Sequence, residues 1–155
     1  MDIVSPRLKF VFGVGGENKA NSSSWILTEW KTPKTERVWG YYRNLHSDGP
    51  NVKVKELAVN PGAKLSMQKH QHRSEHWHVS TGVATVNISN TGPEDYVTHT
   101  LAKHGTIDIP VDTWHQLCNN TDEIVKVVEI QFGTNCIEED IIRHGVDPFY
   151  GKDVK

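Results

Sequence analysis

Apolar and polar residues alternate along most of the chain beyond residue 36. In residues 52–59, Lys53, Lys55, Leu57 and Val59 fall on one face of an extended segment. Asn60-Pro61-Gly62 then signals a turn. Short extended runs follow at 65–72, 75–80, 84–89, 96–101, 106–109, 115–118 and 125–132, with a further turn at Asn90-Thr91-Gly92-Pro93. Many short strands at near-regular spacing predict an all-β fold, an antiparallel barrel or sandwich. Residues 138–143 are expected to form one short helix near the C-terminus.

Residues 1–36 do not share this rhythm. A strand is expected around 8–14, then a loop with Gly13, Gly15, Gly16 and the run Ser22-Ser23-Ser24, then an apolar piece at 25–30. The glycines are not a dinucleotide fingerprint, because no strand–turn–helix pattern with a later acidic residue surrounds them. The expected organisation is an N-terminal arm, 1–36, available for exchange between subunits, and one compact domain, 37–155.

The polar positions inside this pattern carry the chemistry. The stretch from Gly62 to Gly82 holds His70, His72, Glu75, His76 and His78. Gln68, His70 and His72 are spaced by two, so a strand would point them to one face. A turn at Arg73-Ser74 would let Glu75 return to that face. An inward row of imidazoles and a carboxylate is costly to bury unless something coordinates or pairs them. A divalent metal ion is the simplest partner; a solvated, His-rich strand end is the alternative. A second segment, Pro110 to Asn119, follows the apolar strand 107–109 and places a lone histidine, His115, after a tight turn.

Composition narrows the class. The 155 residues suit one domain, and 36% hydrophobic and 23% charged residues are ordinary for a soluble globular protein. A net charge of −2 supplies no field that would draw nucleic acid or an anionic membrane. No apolar run reaches the length of a transmembrane helix. The opening Met1-Asp2-Ile3-Val4-Ser5-Pro6 lacks the basic-then-apolar form of a signal peptide, so a cytoplasmic location is expected, with Cys118 and Cys136 as reduced thiols.

Together the two polar segments resemble the paired motifs of the cupin superfamily. Gly62, Gln68, His70, Glu75 and Gly82 fit the first motif without a gap, with Gln68 where most cupins have a His. Pro110, His115 and Asn119 fit the end of the second; Asp112 and His104 stand where glycines are expected. The resemblance implies a cupin-type antiparallel β-barrel. A narrower block looks like type II mannose-6-phosphate isomerase: Arg37, Trp39, Gly40 and Tyr42, then 65–77 with His72-Arg73-Ser74-Glu75-His76-Trp77, then Glu129, Gln131 and 139–143. Val38 departs from the family's Pro, and these residues hold no counterpart of the nucleotidyltransferase half to which this cupin is often fused, so no guanylyltransferase activity is expected of them.

This resemblance implies one divalent ion per chain, zinc foremost, with manganese, iron, cobalt or nickel as alternatives. It would be held by Gln68, His70, Glu75 and His115. In this register His72 lines the pocket beside the ion; a competing register uses His70 and His72 as the His-x-His pair. The implied reaction interconverts mannose 6-phosphate and fructose 6-phosphate. Its proton-transfer candidates are His72, Lys55 and Glu129, and its phosphate-binding candidates are Arg73, Arg37 and Arg143. The structural alternative makes His72 a hydrogen-bond partner of a ligand and pairs Lys55 with Glu129. Trp77 shares the parity of Glu75 and Val79 and is expected in the core, with His76 and His78 outside. A homodimer is expected, since paired edge strands remove an aggregation liability. The functional alternative is a non-isomerase metal-binding cupin: a sugar-binding or regulatory module, or an oxygenase or lyase on another small molecule.

Overall fold

The protein is described by a computed structural model over residues 31–145. Eleven strands occupy these residues: β1 (Thr35–Arg37), β2 (Gly40–Asp48), β3 (Val52–Val59), β4 (Met67–Lys69), β5 (Arg73–Thr81), β6 (Ala84–Ser89), β7 (Val97–Leu101), β8 (Thr106–Ile109), β9 (Trp114–Cys118), β10 (Val125–Gly133) and β11 (Ile142–His144). They form two antiparallel sheets, ordered β1-β2-β3-β10-β5-β8 and β11-β4-β9-β6-β7. The all-β expectation holds, with the barrel built as two facing sheets rather than one closed ring of hydrogen bonds. Residues 1–30, most of the expected arm, lie outside the described residues; residues 35 and 36 belong to β1.

The core sits between the sheets. Leu57, Val59, Trp77, Val79, Val125 and Val127 come from the larger sheet, and Ala84, Val86 and Leu117 from the smaller. Alternation produces this directly, because inward residues of β5 are buried while those between them are half-buried. Trp77 is buried as expected, and His76 and His78 point to the other face.

Three local expectations are corrected. The segment 138–143 is not helical: it runs through a turn into β11, which pairs with β4 at Ile142↔Lys69, Arg143↔Gln68 and His144↔Met67. An otherwise open edge of β4 takes up these residues as strand, and tertiary pairing overrides a weak helical preference. The run 65–72 contains only three strand residues, 67–69. The bend falls at Gln71-His72 rather than at Arg73-Ser74, so Arg73 already belongs to β5.

Both departures from the glycine positions have a backbone explanation. His104 and Asp112 hold φ of 72° and 57°, the left-handed region that glycine would occupy. The turns are therefore kept, at a strain of about 1–2 kcal/mol each for a non-glycine residue. Asp112 is also fastened, its N–H donating to the His70 carbonyl at 2.7 Å. Gly82, by contrast, must be glycine: its φ is 80°, and a Cβ would stand 2.8 Å from the Ile124 carbonyl oxygen.

Candidate metal centre

The inward rows of β3, β5 and β10 change character at one level of the barrel. On β5 the buried row reads Arg73, Glu75, Trp77, Val79; on β10 it reads Val125, Val127, Glu129, Gln131; on β3 it ends Lys55, Leu57, Val59. The register pairs Val127 with both Leu57 and Val79, Glu129 with Lys55 and Trp77, and Gln131 with Glu75. The polar ends thus gather at one end of the interior.

At that end His70, Glu75 and His115 converge, with one ligand atom from each lying within 4.8 Å of the others. All three are buried. His70 Nε2 lies 3.0 Å from Glu75 Oε1, and His115 Nε2 lies 3.5 Å from Glu75 Oε2. The second nitrogen of each ring faces a main-chain carbonyl: His70 Nδ1 the Asp140 oxygen at 2.7 Å, and His115 Nδ1 the Thr113 oxygen at 2.9 Å. A carbonyl only accepts, so each Nδ1 carries its proton and each Nε2 is turned inward. Trp77 Nε1–H donates to Glu75 Oε2 at 2.9 Å, and Arg73 Nε–H donates to Glu75 Oε1 at 3.2 Å.

These residues fit a divalent ion. His115 Nε2 is buried and has no hydrogen-bond partner among the described residues, a cost that native proteins seldom leave unanswered. Burial pushes the His115 pKa down to about 4, although the Glu75 charge works the other way, so the ring is neutral and able to ligate at physiological pH. Burial opposes ionisation of Glu75, but its close neighbours His70, His115 and Arg73 prevail and hold its carboxyl well below the usual range. Two imidazoles and a carboxylate suit zinc and its first-row neighbours.

Gln68 lies opposite His115 across β4 and β9, so both side chains share the inner face. Its Oε1 accepts from Ser66 Oγ at 3.0 Å. His72 is elsewhere. Its side chain is 56% exposed, with Nδ1 3.5 Å from the Asp140 carboxylate. It does not line the pocket, contrary to expectation, because the bend at 71–72 ends the alternation that would have turned it inward.

A cavity of about 80 Å³ adjoins this cluster, walled in part by Gln68, Lys55, Glu129, Gln131, Arg37 and Arg143. Burial raises the Glu129 pKa to about 7, helped by the Glu75 charge and opposed by Lys55 and Arg73. Gln131 Nε2 donates to Glu129 Oε1 at 2.6 Å. Lys55 is not paired with Glu129 but with Glu138, at 2.6 Å, and its ammonium lies 4.4 Å from the centre of the Tyr42 ring. Arg143 has its pKa lowered by burial and then by the charge of Arg37, with Glu138 opposing. Two guanidinium groups that feel each other at a cavity wall favour an anion between them. Arg73 lines the same cavity, but its donors are directed at Glu75, at His70 Nε2 (3.2 Å) and at the Ile137 carbonyl (3.0 Å).

Sequence reasoning missed three members of this site. Trp77 was expected in the core or stacked on a sugar ring, Gln131 as part of a motif, and Asp140 as a helical residue within the block 139–143. Period-two spacing from Glu75 and Glu129 marks Trp77 and Gln131 as inward-facing. Nothing local marks Asp140, whose partners lie 68 to 70 residues away.

The family described as mannose-6-phosphate isomerase C-terminal matches residues 28–145. A mannose-1-phosphate guanylyltransferase of Salmonella muenchen is 40% identical over 107 residues, 69% of this chain and 21% of that protein. The alginate biosynthesis protein AlgA of Pseudomonas aeruginosa is 35% identical over 116 residues, 75% of this chain and 22% of its own length. This chain thus spans about a fifth of the length of these curated relatives. Among solved structures, the capsular polysaccharide assembling protein CapF of Staphylococcus aureus superposes with a TM-score of 0.65 at 15% identity, over 74% of this chain and 34% of that one. The oxalate decarboxylase of Lactobacillus farciminis gives 0.62 at 18% identity, over 73% and 33%. The fold is that of the cupins, and the chain belongs to the mannose-6-phosphate isomerase C-terminal family.

Proposed function

We propose that this protein is a metal-dependent sugar-phosphate isomerase that interconverts mannose 6-phosphate and fructose 6-phosphate. The observation that carries the reading is a pair of neighbours: a buried His70–Glu75–His115 cluster with an unsatisfied nitrogen, and a cation-walled cavity holding a carboxyl with a pKa near 7. His70, Glu75 and His115, with Gln68 as fourth donor, would hold one divalent ion, zinc foremost. When bound, such an ion supplies Lewis-acid polarisation of the sugar's carbonyl.

The rest belongs to the chain's own side chains. Arg37 and Arg143 hold the phosphate; Arg73 braces Glu75 and His70 instead. Glu129 takes the proton from C2 of the open-chain aldose and returns it to C1, while a proton passes from the O2 hydroxyl to O1 through an enediol. A carboxyl near pKa 7 is populated in both forms at neutral pH, as a group that must accept and then donate requires. Gln131 orients it. Lys55, of the three candidates considered for proton transfer, is tied to Glu138 and supplies positive charge beside the carboxyl; His72 is removed from the cavity.

A coupled assay with mannose 6-phosphate or fructose 6-phosphate, and with added zinc, manganese, iron or cobalt, tests the reading. Turnover in both directions with at least one ion is expected. Binding of ion and sugar phosphate without turnover would overturn it in favour of a non-catalytic binding module. We further propose a cytoplasmic homodimer joined through edge strands, such as β7, where Val97 is 63% exposed. Sedimentation at the monomer mass across a wide concentration range would refute the dimer. Among the described residues, no helix is long and apolar enough to cross a membrane.

A further inference from the structure

The segment from Ile137 to His144 touches both halves of the site. The Ile137 carbonyl accepts from Arg73 Nη1 at 3.0 Å, Glu138 takes the Lys55 ammonium at 2.6 Å, and Arg143 stands opposite Gln68 in the β11–β4 pair. Asp140 lies at the centre of these contacts and is buried. Its Oδ1 accepts the Gln71 N–H at 3.0 Å and its Oδ2 accepts the His72 N–H at 2.8 Å. Its main-chain oxygen faces His70 Nδ1 at 2.7 Å. One residue therefore fixes the bend at 71–72 with both carboxylate oxygens and orients the adjoining imidazole with its carbonyl.

We propose that Asp140 is a positioning residue for the metal centre: it locks the 70–72 bend and holds His70 as the Nδ1–H tautomer, with Nε2 aimed at the ion. This inference rests on the metal-centre reading above. The physics is that of an outer partner to a ligating histidine. A carbonyl on one ring nitrogen selects the tautomer and the ring orientation, and so frees the other nitrogen to ligate. The carboxylate is what holds that carbonyl in place. Two charge-assisted bonds to consecutive N–H groups pin the whole residue against the bend. Because the same strap carries Glu138 and Arg143, the geometry of the ligand and that of the cavity wall are set together.

The test compares Asp140→Ala and Asp140→Asn with the parent protein and with Glu139→Ala, an exposed neighbour on the same strap. Zinc affinity is measured by competition with a chromogenic chelator, and the His70 tautomer by nitrogen-15 NMR of the metal-free protein. The expected result is a loss of affinity of roughly 10- to 100-fold in Asp140→Ala. Asp140→Asn should lose less, since it keeps one acceptor oxygen, and Glu139→Ala should match the parent. The Nδ1–H signature of His70 should be clear in the parent and averaged between tautomers in Asp140→Ala. Should Asp140→Ala fail to fold, the asparagine variant carries both measurements, with a smaller loss and partial averaging expected. Unchanged affinity, or an unchanged His70 tautomer, in a folded Asp140 variant overturns the proposal. A separate arm, His115→Ala, guards the parent reading. If that variant still binds zinc like the parent, the metal centre itself is misassigned; if it loses zinc while Asp140 variants keep it, only the role of Asp140 falls.

Discussion

The two ends of the barrel interior are built on the same strands and obey opposite rules. At one end Val79, Val125, Val127, Val59 and Leu117 are wholly buried in the apolar core. At the other, two residues further along each strand and beyond, Glu75, Glu129, Gln131 and His115 are equally buried but polar. The apolar end contributes stability through area removed from water. The polar end costs stability, because each group must be desolvated and His115 Nε2 and Gln131 Oε1 find no partner within the described residues. A protein that buries both ends on one scaffold spends folding energy to hold groups ready for a ligand. Trp77 marks the boundary: its ring packs in the core while its N–H serves Glu75.

The largest effect expected from this contrast is on chemistry. Glu129→Gln keeps the shape of the polar end and removes the proposed proton carrier, so the proposed turnover of sugar phosphate should fall by about 100- to 10,000-fold in the coupled assay. Metal content should stay at the parent level by elemental analysis. Activity within a few-fold of the parent would move the base elsewhere.

Truncation at the apolar end should cost folding directly. Leu117→Ala is expected to lower unfolding free energy by about 2–5 kcal/mol in urea titration, with or without zinc. The matching change at the polar end should behave differently. His115→Ala should cost the metal-free protein less than Leu117→Ala does, since one of its ring nitrogens has no partner among the described residues, yet abolish the gain that zinc gives. That gain is about 2.7 kcal/mol when the ion is at 100 times its dissociation constant. Equal losses with and without zinc would erase the distinction between the two ends.

The pH dependence of the metal-free protein provides a smaller test. His115 titrates near 4 when folded, against an ordinary 6.5, so its share of stability is present above pH 6.5 and is lost as pH falls toward 4. Glu129 titrates near 7 when folded, against 4.5, so its share is present below pH 4.5 and is lost as pH rises through 7. Thermal melts of His115→Ala should thus be flatter on the acid side, and those of Glu129→Gln flatter between pH 4.5 and 7. A Glu129→Gln melt that tracks the parent across that window would mean the carboxyl is not held protonated.

The smallest effect should come from the outer face. His76 is paired with Asp108 at 2.6 Å, but the pair is exposed. His76→Ala should change stability by no more than about 0.5–1 kcal/mol and leave zinc binding untouched. Lost zinc in this variant would mean that the two faces of β5 have been assigned the wrong way round.

Much of this was legible in the sequence because strand periodicity is local. Alternation alone assigns Glu75, Trp77 and Val79 to one face, and each strand's switch from apolar to polar can be read in its own eight or nine residues. The two spaced motifs likewise single out Gln68, His70, Glu75 and His115 through their resemblance, since each motif lies within one short segment. What only the tertiary structure decided is how these segments meet. The register of β10 against β3 and β5 brings the three switches to one level, and no single strand encodes its partner's offset. The bend at 71–72 sends His72 outward, and residues 142–144 become strand, through pairing between parts of the chain some seventy residues apart. Hydrogen bonds over such separations depend on the whole fold having brought their donors and acceptors together, and a local pattern carries no record of that.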